Sequence, residues 1–163
     1  MTDGPGVAPL VVEFQVAAPV GHAFETWTDR AQLWGPRGHT VSGAPDAVVF
    51  ERRPGGRIYE RSGGDEHEWG EILVWEPPTR VRYRWHLFFP PAEATIVDVT
   101  FTAVGDDATR VRLEQTGWEA LGDRGPARRE RTVHGWAVAT AAYRGLLERP
   151  VTSPDLAPQG DQP

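Results

Sequence analysis

The stretch RVRYRWHL, residues 80–87, decides the fold. Its apolar and polar side chains alternate strictly, which is the period of a β-strand that buries one face. A register slip of one residue would move every side chain to the opposite face, so the pattern fixes the orientation of the strand. We predict that the inward face is formed by Val81, Tyr83, Trp85 and Leu87. The solvent face is then formed by Arg80, Arg82, Arg84 and His86.

Strand-like segments lie on both sides of this stretch and are divided by short turns rich in Gly, Pro and Asp. Consecutive strands joined by such short turns pair antiparallel. One face of the resulting sheet is exposed to solvent, and the other must be buried against another element. The predicted strands cover residues 12–16, 47–51, 57–61, 69–76, 95–104 and 110–116.

Helical periodicity occurs after the first strand and at the end of the chain. Pro19 suits a first helical turn, and Val20, Phe24 and Trp27 then recur at spacings of four and three. Thr28 and Asp29 are expected to cap a second short helix through Leu33 and Trp34. A long amphipathic helix is predicted over residues 126–148, with an apolar stripe of Val133, Trp136, Thr140, Tyr143 and Leu147.

These elements predict an α+β fold, in which a curved antiparallel sheet of six or seven strands wraps one long C-terminal helix around an apolar cavity. The length of 163 residues suits one domain. We place that domain at residues 10–149, between a loose tail at 1–9 and a Pro-rich, disordered tail at 150–163.

Composition narrows the classes of partner. The net charge is -6, and all 17 basic residues are arginines interleaved with acids. Nucleic acid is therefore not expected, because its binding needs a basic surface. No cysteine, signal peptide or apolar run of membrane-spanning length occurs, so we expect a cytoplasmic protein without membrane insertion.

No catalytic set can be assigned from motifs. The five histidines show no metal-binding spacing, and the serines lie in no GxSxG elbow. Phosphate-binding glycine patterns are also absent, so neither a metal nor a cofactor is expected. His86 is predicted to be solvated, and residues 65–68, three acids around a histidine, are predicted to form a solvated acidic turn.

Aromatic residues give the best functional lead, because seven tryptophans is a high count for this length. Many belong in a core, but large rings opposite small helical residues also line apolar pockets. His134 shares a helix face with the small residues Val138, Ala141 and Gly145, which would leave space for a cavity between the helix and the sheet. Alternatively, His134 lies near the helix start and forms a hydrogen bond to a nearby loop. The candidate ligand-binding residues are Trp69, Tyr83, Trp85, Phe101, Trp136 and Tyr143, with Tyr59, Gln115 and His134 as polar groups; Arg57 would need a partner if it were buried.

The order of elements resembles the helix-grip fold of the START-like or SRPBCC superfamily, which includes the birch-pollen-allergen-like proteins. Short motifs over residues 10–149 resemble, more narrowly, the group of heat-shock-protein ATPase activator homologues. These motifs are Ala18-Pro19 before Phe24 and Trp27-Thr28-Asp29, then Trp34, Arg53-Pro54-Gly55-Gly56-Arg57, Gly70-Glu71-Ile72, Glu76-Pro77-Pro78, Tyr83, Trp85, Asp107-Ala108-Thr109-Arg110-Val111 and Gly135-Trp136.

The resemblance implies an internal cavity but no single reaction, because the superfamily holds carriers, receptors, cyclases, chaperone co-factors and self-resistance proteins. Our main hypothesis is non-catalytic binding of a hydrophobic, aromatic or polycyclic small molecule by a monomer or weak homodimer. The alternatives are a cyclase or dehydratase acting on a polyketide-like substrate through His134 or a tyrosine, antibiotic self-resistance by sequestration or self-sacrifice, and a chaperone-binding module.

Overall fold

The computed structural model describes residues 7–34, 46–86 and 89–148. The predicted tail at 150–163, most of the tail at 1–9, and Leu87 lie outside these residues. The described chain forms β1 Leu10–Val16, α1 Val20–Asp29, α2 Ala31–Trp34, β2 Ala47–Phe50, β3 Arg57–Ser62, β4 Asp65–Glu76, β5 Arg80–Trp85, β6 Thr95–Ala103, β7 Thr109–Thr116 and α3 Gly125–Glu148, with 3-10 helices at Pro91–Glu93 and Trp118–Arg124.

The seven strands form one curved antiparallel sheet in the order β1-β7-β6-β5-β4-β3-β2. From β2 to β7 each strand pairs with the next one along the chain, as short turns require. The first strand instead joins the far edge, where Leu10 pairs with Gln115. The predicted α+β fold, with its curved sheet and long C-terminal helix, is confirmed.

Strand β5 has the predicted orientation over its length. Val81 and Tyr83 are 0% and 1% exposed, Arg84 is exposed, and Trp85 is partly exposed. The prediction of a solvated His86 is wrong, because its side chain is buried. The strand ends at Trp85, and the His86 ring contacts the Phe89 carbonyl oxygen at 3.0 Å and the Glu68 carboxylate at 3.2 Å.

The long helix α3 buries the predicted stripe except at its start. Trp136, Thr140, Tyr143 and Leu147 are buried, whereas Val133 is 37% exposed. The helix packs on β1, on α1 and α2, and on the 3-10 helix that precedes it. The C-terminal helix therefore covers the inner face of the sheet together with the two short helices.

Two local predictions are wrong. Thr28 does not cap α2, because α1 continues to Asp29 and the Thr28 hydroxyl donates to the Phe24 carbonyl oxygen one turn earlier. Residues 65–68 do not form a turn, because β4 begins at Asp65 and Glu68 pairs with Tyr59 of β3. The turn between these strands is therefore shorter than the sequence indicated.

Candidate functional site

A β-bulge shapes the inner face of the sheet where β3 meets β4. Ile58 pairs with Gly70 and Tyr59 with Glu68, so Trp69 has no residue opposite it. Such an extra residue interrupts the alternation of side chains and redirects the bulged position. Trp69 and Gly70 are consecutive, yet both are buried. The bulge thus directs the Trp69 indole into the interior, on the same face of the sheet as Ile58.

The bulge places Trp69 against a buried acid. Glu60 is 0% exposed and alternates with the exposed Arg61, so it shares the inner face of Ile58. The Trp69 Nε1–H donates to Glu60 Oε1 at 2.7 Å. A carboxylate withdrawn from water costs free energy unless hydrogen bonds compensate it. This donor therefore provides part of the compensation.

Further aromatic rings extend from this pair along β5. The rings of Trp69 and Trp85 meet edge to face at 5.4 Å, and Trp85 lies 5.7 Å from Tyr83. Phe50 of β2 contacts Tyr83 at 5.6 Å. Within this group only Trp85 keeps partial exposure. We call Glu60, Trp69, Tyr83, Trp85 and Phe50 the sheet cluster.

A second aromatic group lies between α1, α3 and β6. Trp27 of α1 is 0% exposed and forms its centre. The ring of Trp27 lies 4.3 Å from Trp34, 5.0 Å from Tyr143, 5.9 Å from Trp136 and 6.1 Å from Phe101. We call these five residues the helix cluster. The Trp27 Nε1–H donates to the Tyr83 hydroxyl oxygen at 3.3 Å, which joins the two clusters.

Two buried tyrosines in these clusters have altered acidity. Burial raises the pKa of Tyr83, and the hydrogen bond from Trp27 opposes this effect only in part. Burial likewise raises the pKa of Tyr143, whose hydroxyl donates to the Ala23 carbonyl oxygen at 2.6 Å. Both phenols are therefore neutral at physiological pH, and neither is a general base there.

Gln115 uses both ends of its amide within the protein. Its Nε2 donates to Thr95 Oγ1 at 2.7 Å, and its Oε1 accepts from Trp136 Nε1 at 2.7 Å. Its backbone carbonyl oxygen accepts from Trp118 Nε1 at 3.1 Å. These bonds tie β6, β7 and α3 together, so the structure assigns Gln115 a bracing role.

Two of the predicted polar groups lie away from the inner face of the sheet. His134 is exposed on α3, together with Val138 and Ala141, so the prediction that this face borders a cavity is wrong. Tyr59 is buried, at 7% exposure, but it lies on the opposite face of β3 from Ile58, where the Arg57 guanidinium covers its ring at 4.2 Å from the ring centre. Neither side chain therefore contributes to a site on the inner face.

Arg57 has partners of its own outside the interior. Its guanidinium bonds to Glu51 at 3.2 Å and to Glu66 at 3.1 Å. These carboxylates raise the pKa of Arg57 further above its ordinary value. The paired, partly exposed cation lies on the outer face of the sheet rather than among the buried rings.

The structure brings six of the nine predicted residues into the two clusters: Trp69, Tyr83, Trp85, Phe101, Trp136 and Tyr143. Sequence analysis missed Glu60 as a site residue. Its signal was present, because Glu60 shares the period-two face of Ile58 between Arg57, Tyr59 and Arg61 on the other face. An acid on the apolar face of a strand is informative because it requires a buried partner.

The sheet, the covering helix and the aromatic interior define a helix-grip α+β protein. The sequence profile described as "Activator of Hsp90 ATPase homolog 1-like protein" matches residues 17–146, and the chain belongs to this family. The resemblance seen in the sequence motifs is thereby confirmed. Among the described residues, no helix combines the length and apolar character needed to cross a membrane.

Solved structures give the same assignment of fold. CalC from Micromonospora echinospora, a self-sacrificing resistance protein, is 26% identical with a TM-score of 0.68, over 86% of this chain and 94% of CalC. Txn09, an anthrahydroquino-gamma-pyrone synthase, is 28% identical with a TM-score of 0.61, over 86% and 97%. MLL2253 from Mesorhizobium loti is 21% identical with a TM-score of 0.63, over 86% and 97%. No curated protein matches the sequence.

Proposed function

We propose that this protein binds a hydrophobic, aromatic or polycyclic small molecule between the inner face of β3–β5 and the covering helices. The sheet cluster carries the proposal. It combines several aromatic rings with one buried carboxylate, and its member Trp85 is partly exposed. Sites for small molecules have this composition of many apolar walls and few polar groups.

Two relatives support this class of ligand. Txn09 is named as a synthase of an anthrahydroquino-gamma-pyrone, and CalC is named as a resistance protein. Both are more than 25% identical to this chain and are covered over nearly their whole length. A related sheet and helix therefore occur in a synthase of a polycyclic aromatic compound and in a resistance protein.

Thermal unfolding in the presence of anthraquinone-2-sulfonate and 8-anilinonaphthalene-1-sulfonate tests the proposal. A ligand at 100 times its dissociation constant stabilises the fold by about 2.7 kcal/mol. For a domain of this size that corresponds to a rise in melting temperature of roughly 5–10 °C. Tryptophan fluorescence should change in parallel, because Trp69 and Trp85 lie in the proposed site.

Matched variants locate the response. Trp85→Ala should weaken binding by about tenfold or more, since an aromatic contact and its buried area are lost. Val138→Ala is the control, because Val138 is 70% exposed on the outer side of α3. Unchanged melting temperature and fluorescence across planar aromatic probes would reject the proposal. Equal weakening by both variants would reject the location.

A cyclase or dehydratase is the second candidate, favoured by the 28% identity to Txn09 and by the buried Glu60. His134 is exposed and the phenols of Tyr83 and Tyr143 have raised pKa values, so the acid of the sheet cluster replaces them as the candidate proton acceptor. Mass spectrometry of a polyketide-like substrate after incubation distinguishes the two functions. A dehydratase releases a product lighter by one water, a cyclase acting without dehydration gives an isomer that separates from the substrate by chromatography, and a binder returns the substrate unchanged.

Self-resistance is a third candidate, favoured by the similarity to CalC. Intact-protein mass spectrometry after exposure to a reactive natural product tests it. Self-sacrifice by chain cleavage gives two fragments whose masses sum to the protein with any added atoms. Sequestration leaves the protein mass unchanged and protects the compound from reaction.

A further inference from the structure

Arg128 of α3 is a largely buried cation that forms no hydrogen bond with the described part of the chain. Its side chain is 14% exposed, and its Nε is enclosed without a partner among the described residues. Its ion-pair partner Glu93 lies 3.9 Å from Arg128 Nη2, which is too far for a hydrogen bond. Buried charges usually have close partners, because withdrawing them from water costs free energy. Arg128 therefore retains unused capacity to donate.

The Glu93 carboxylate is already engaged by another arginine. Arg124 Nη1 and Nη2 each lie 3.1 Å from a different Glu93 oxygen, as in a bidentate ion pair. Arg131, one turn further along α3, adds another positive charge. Burial and repulsion by Arg131 and Arg124 lower the pKa of Arg128 from its ordinary value, against the attraction of Glu93. Three arginines therefore share one carboxylate at this point.

An aromatic ring holds the Arg128 guanidinium in place. The guanidinium carbon lies over the Phe89 ring, 3.2 Å from the ring centre. Phe89 is itself fixed, because its backbone N–H donates to the His86 carbonyl oxygen at 2.7 Å and its carbonyl oxygen contacts the His86 ring at 3.0 Å. The contact with the ring offsets part of the cost of burying the charge. It supplies no oxygen acceptor, so the N–H groups of an ordered guanidinium stay available.

We propose that Arg128, flanked by Arg124 and Arg131, forms a surface site for an oxyanion: a sulfate, phosphate, sulfonate or carboxylate group. The anion reaches the terminal nitrogens of Arg128 from solvent, at the part of the side chain that stays exposed. A guanidinium presents its donors in a planar fork that matches such groups. The net charge of -6 favours a small anion over an extended polyanion at this local cluster. The site is separate from the sheet cluster and does not depend on the function proposed above.

Nuclear magnetic resonance titration of nitrogen-15-labelled protein with sodium sulfate, at constant ionic strength, tests the proposal. Amide resonances in the first turns of α3 should shift until the site is saturated. Arg128→Gln should weaken sulfate binding about tenfold, as expected for the loss of a charged donor. Arg110→Gln is the matched control, because it makes the same change of charge at an exposed position near the start of β7. Screening by salt should keep its effect within about twofold.

A variant of the carboxylate gives an effect of the opposite sign. Glu93→Gln should strengthen sulfate binding about threefold or more, because it removes a negative charge beside Arg128 and releases Arg124. If these residues served only to hold the fold together, neither substitution would improve binding. Weaker binding in Glu93→Gln would therefore overturn the proposal. The shifts in the wild-type protein do not depend on the folding of any variant.

Two aromatic probes identify the source of the anion. Naphthalene-2-sulfonate and naphthalene-2-sulfonamide have similar shapes, but only the first is an anion. If the acid group of an aromatic ligand occupies the site, the sulfonate should bind about tenfold more tightly, and Arg128→Gln should abolish this preference. If the site holds a free ion, sulfate should bind as described while the two probes bind equally. Absence of sulfate binding together with equal binding of the probes would overturn the anion site. Binding of sulfate but of neither probe would support the anion site and count against the proposed function.

Discussion

The helix cluster and the sheet cluster are both aromatic, but they differ in how fully their rings are buried. In the helix cluster the Trp27 indole and the Tyr143 hydroxyl each donate to a partner inside the protein, and Trp27 has no exposed surface. In the sheet cluster the buried Glu60 also has an internal partner, since it accepts from Trp69, but Trp85 remains partly exposed. The comparison indicates that the first cluster is sealed within the fold, whereas the second reaches the surface at Trp85.

The largest expected effect falls on the centre of the helix cluster. Trp27→Ala should lower the free energy of unfolding by about 3–5 kcal/mol, because it leaves a large cavity among four rings and removes the donor to Tyr83. Urea unfolding followed by circular dichroism measures the change. Val138→Ala, on the exposed side of α3, should stay within about 0.5 kcal/mol. Similar losses in both variants would show that Trp27 is not central to the fold.

A glycine beside the bulge tests how tightly the sheet cluster is built. A Cβ atom at Gly70 would collide with the Arg84 carbonyl oxygen of β5. Gly70→Ala should therefore cost roughly 3 kcal/mol of stability, as overpacking against backbone does. Gly135→Ala is the matched control, because that helical glycine has open space and should gain about 0.4–1 kcal/mol. A neutral Gly70→Ala would mean that β4 and β5 separate readily.

Alkaline pH should weaken the clusters through their tyrosines. The pKa values of Tyr83 and Tyr143 are raised by burial above the ordinary value of 10.0. Above pH 10 the unfolded chain therefore loses protons that the folded chain retains, and the free energy of unfolding falls as pH rises. The expected slope is up to about 1.4 kcal/mol per pH unit for each tyrosine.

Urea titrations between pH 8 and pH 11 measure this slope. Tyr83→Phe and Tyr143→Phe should each remove one tyrosine's share of the slope, whatever their effect on absolute stability. A slope unchanged in the double variant would show that other groups cause the alkaline loss.

The smallest stability effect is expected at the edge of the sheet cluster. Trp85→Ala should cost about 1–2 kcal/mol, since a partly exposed ring contributes less buried area than Trp27. Its main effect should be the loss of binding described above. A stability loss as large as that of Trp27→Ala would remove the distinction between the two clusters and make both of them core.

Sequence periodicity predicted most of this fold, because each strand or helix buries one of its faces and exposes the other. The alternation in β5 correctly predicted Val81 and Tyr83 inside and Arg84 outside. The stripe from Trp136 to Leu147 likewise predicted the buried side of α3. Both patterns continue over several residues, so a single exception does not obscure them.

The positions of single side chains were harder to predict, because they depend on local geometry that the periodicity of the sequence does not encode. His134 precedes Trp136 by two residues, which turns it about 160° away around the helix. Small neighbours therefore indicated the solvent side rather than a cavity. The sequence does not reveal that a bulge directs Trp69 toward Glu60, because a bulge breaks the alternation by which strands are recognised.

The pairing of β1 with β7 has a consequence for how the chain folds during synthesis. Strands β2 to β7 can pair successively through nearby turns. Leu10 of β1, in contrast, can pair with Gln115 only after β7 has been synthesised. Contacts between such distant parts of a chain slow folding, because a long loop has to close first. As the protein leaves the ribosome, β1 therefore emerges first and remains unpaired until β7 has followed. The first strand made is among the last to be protected from other chains.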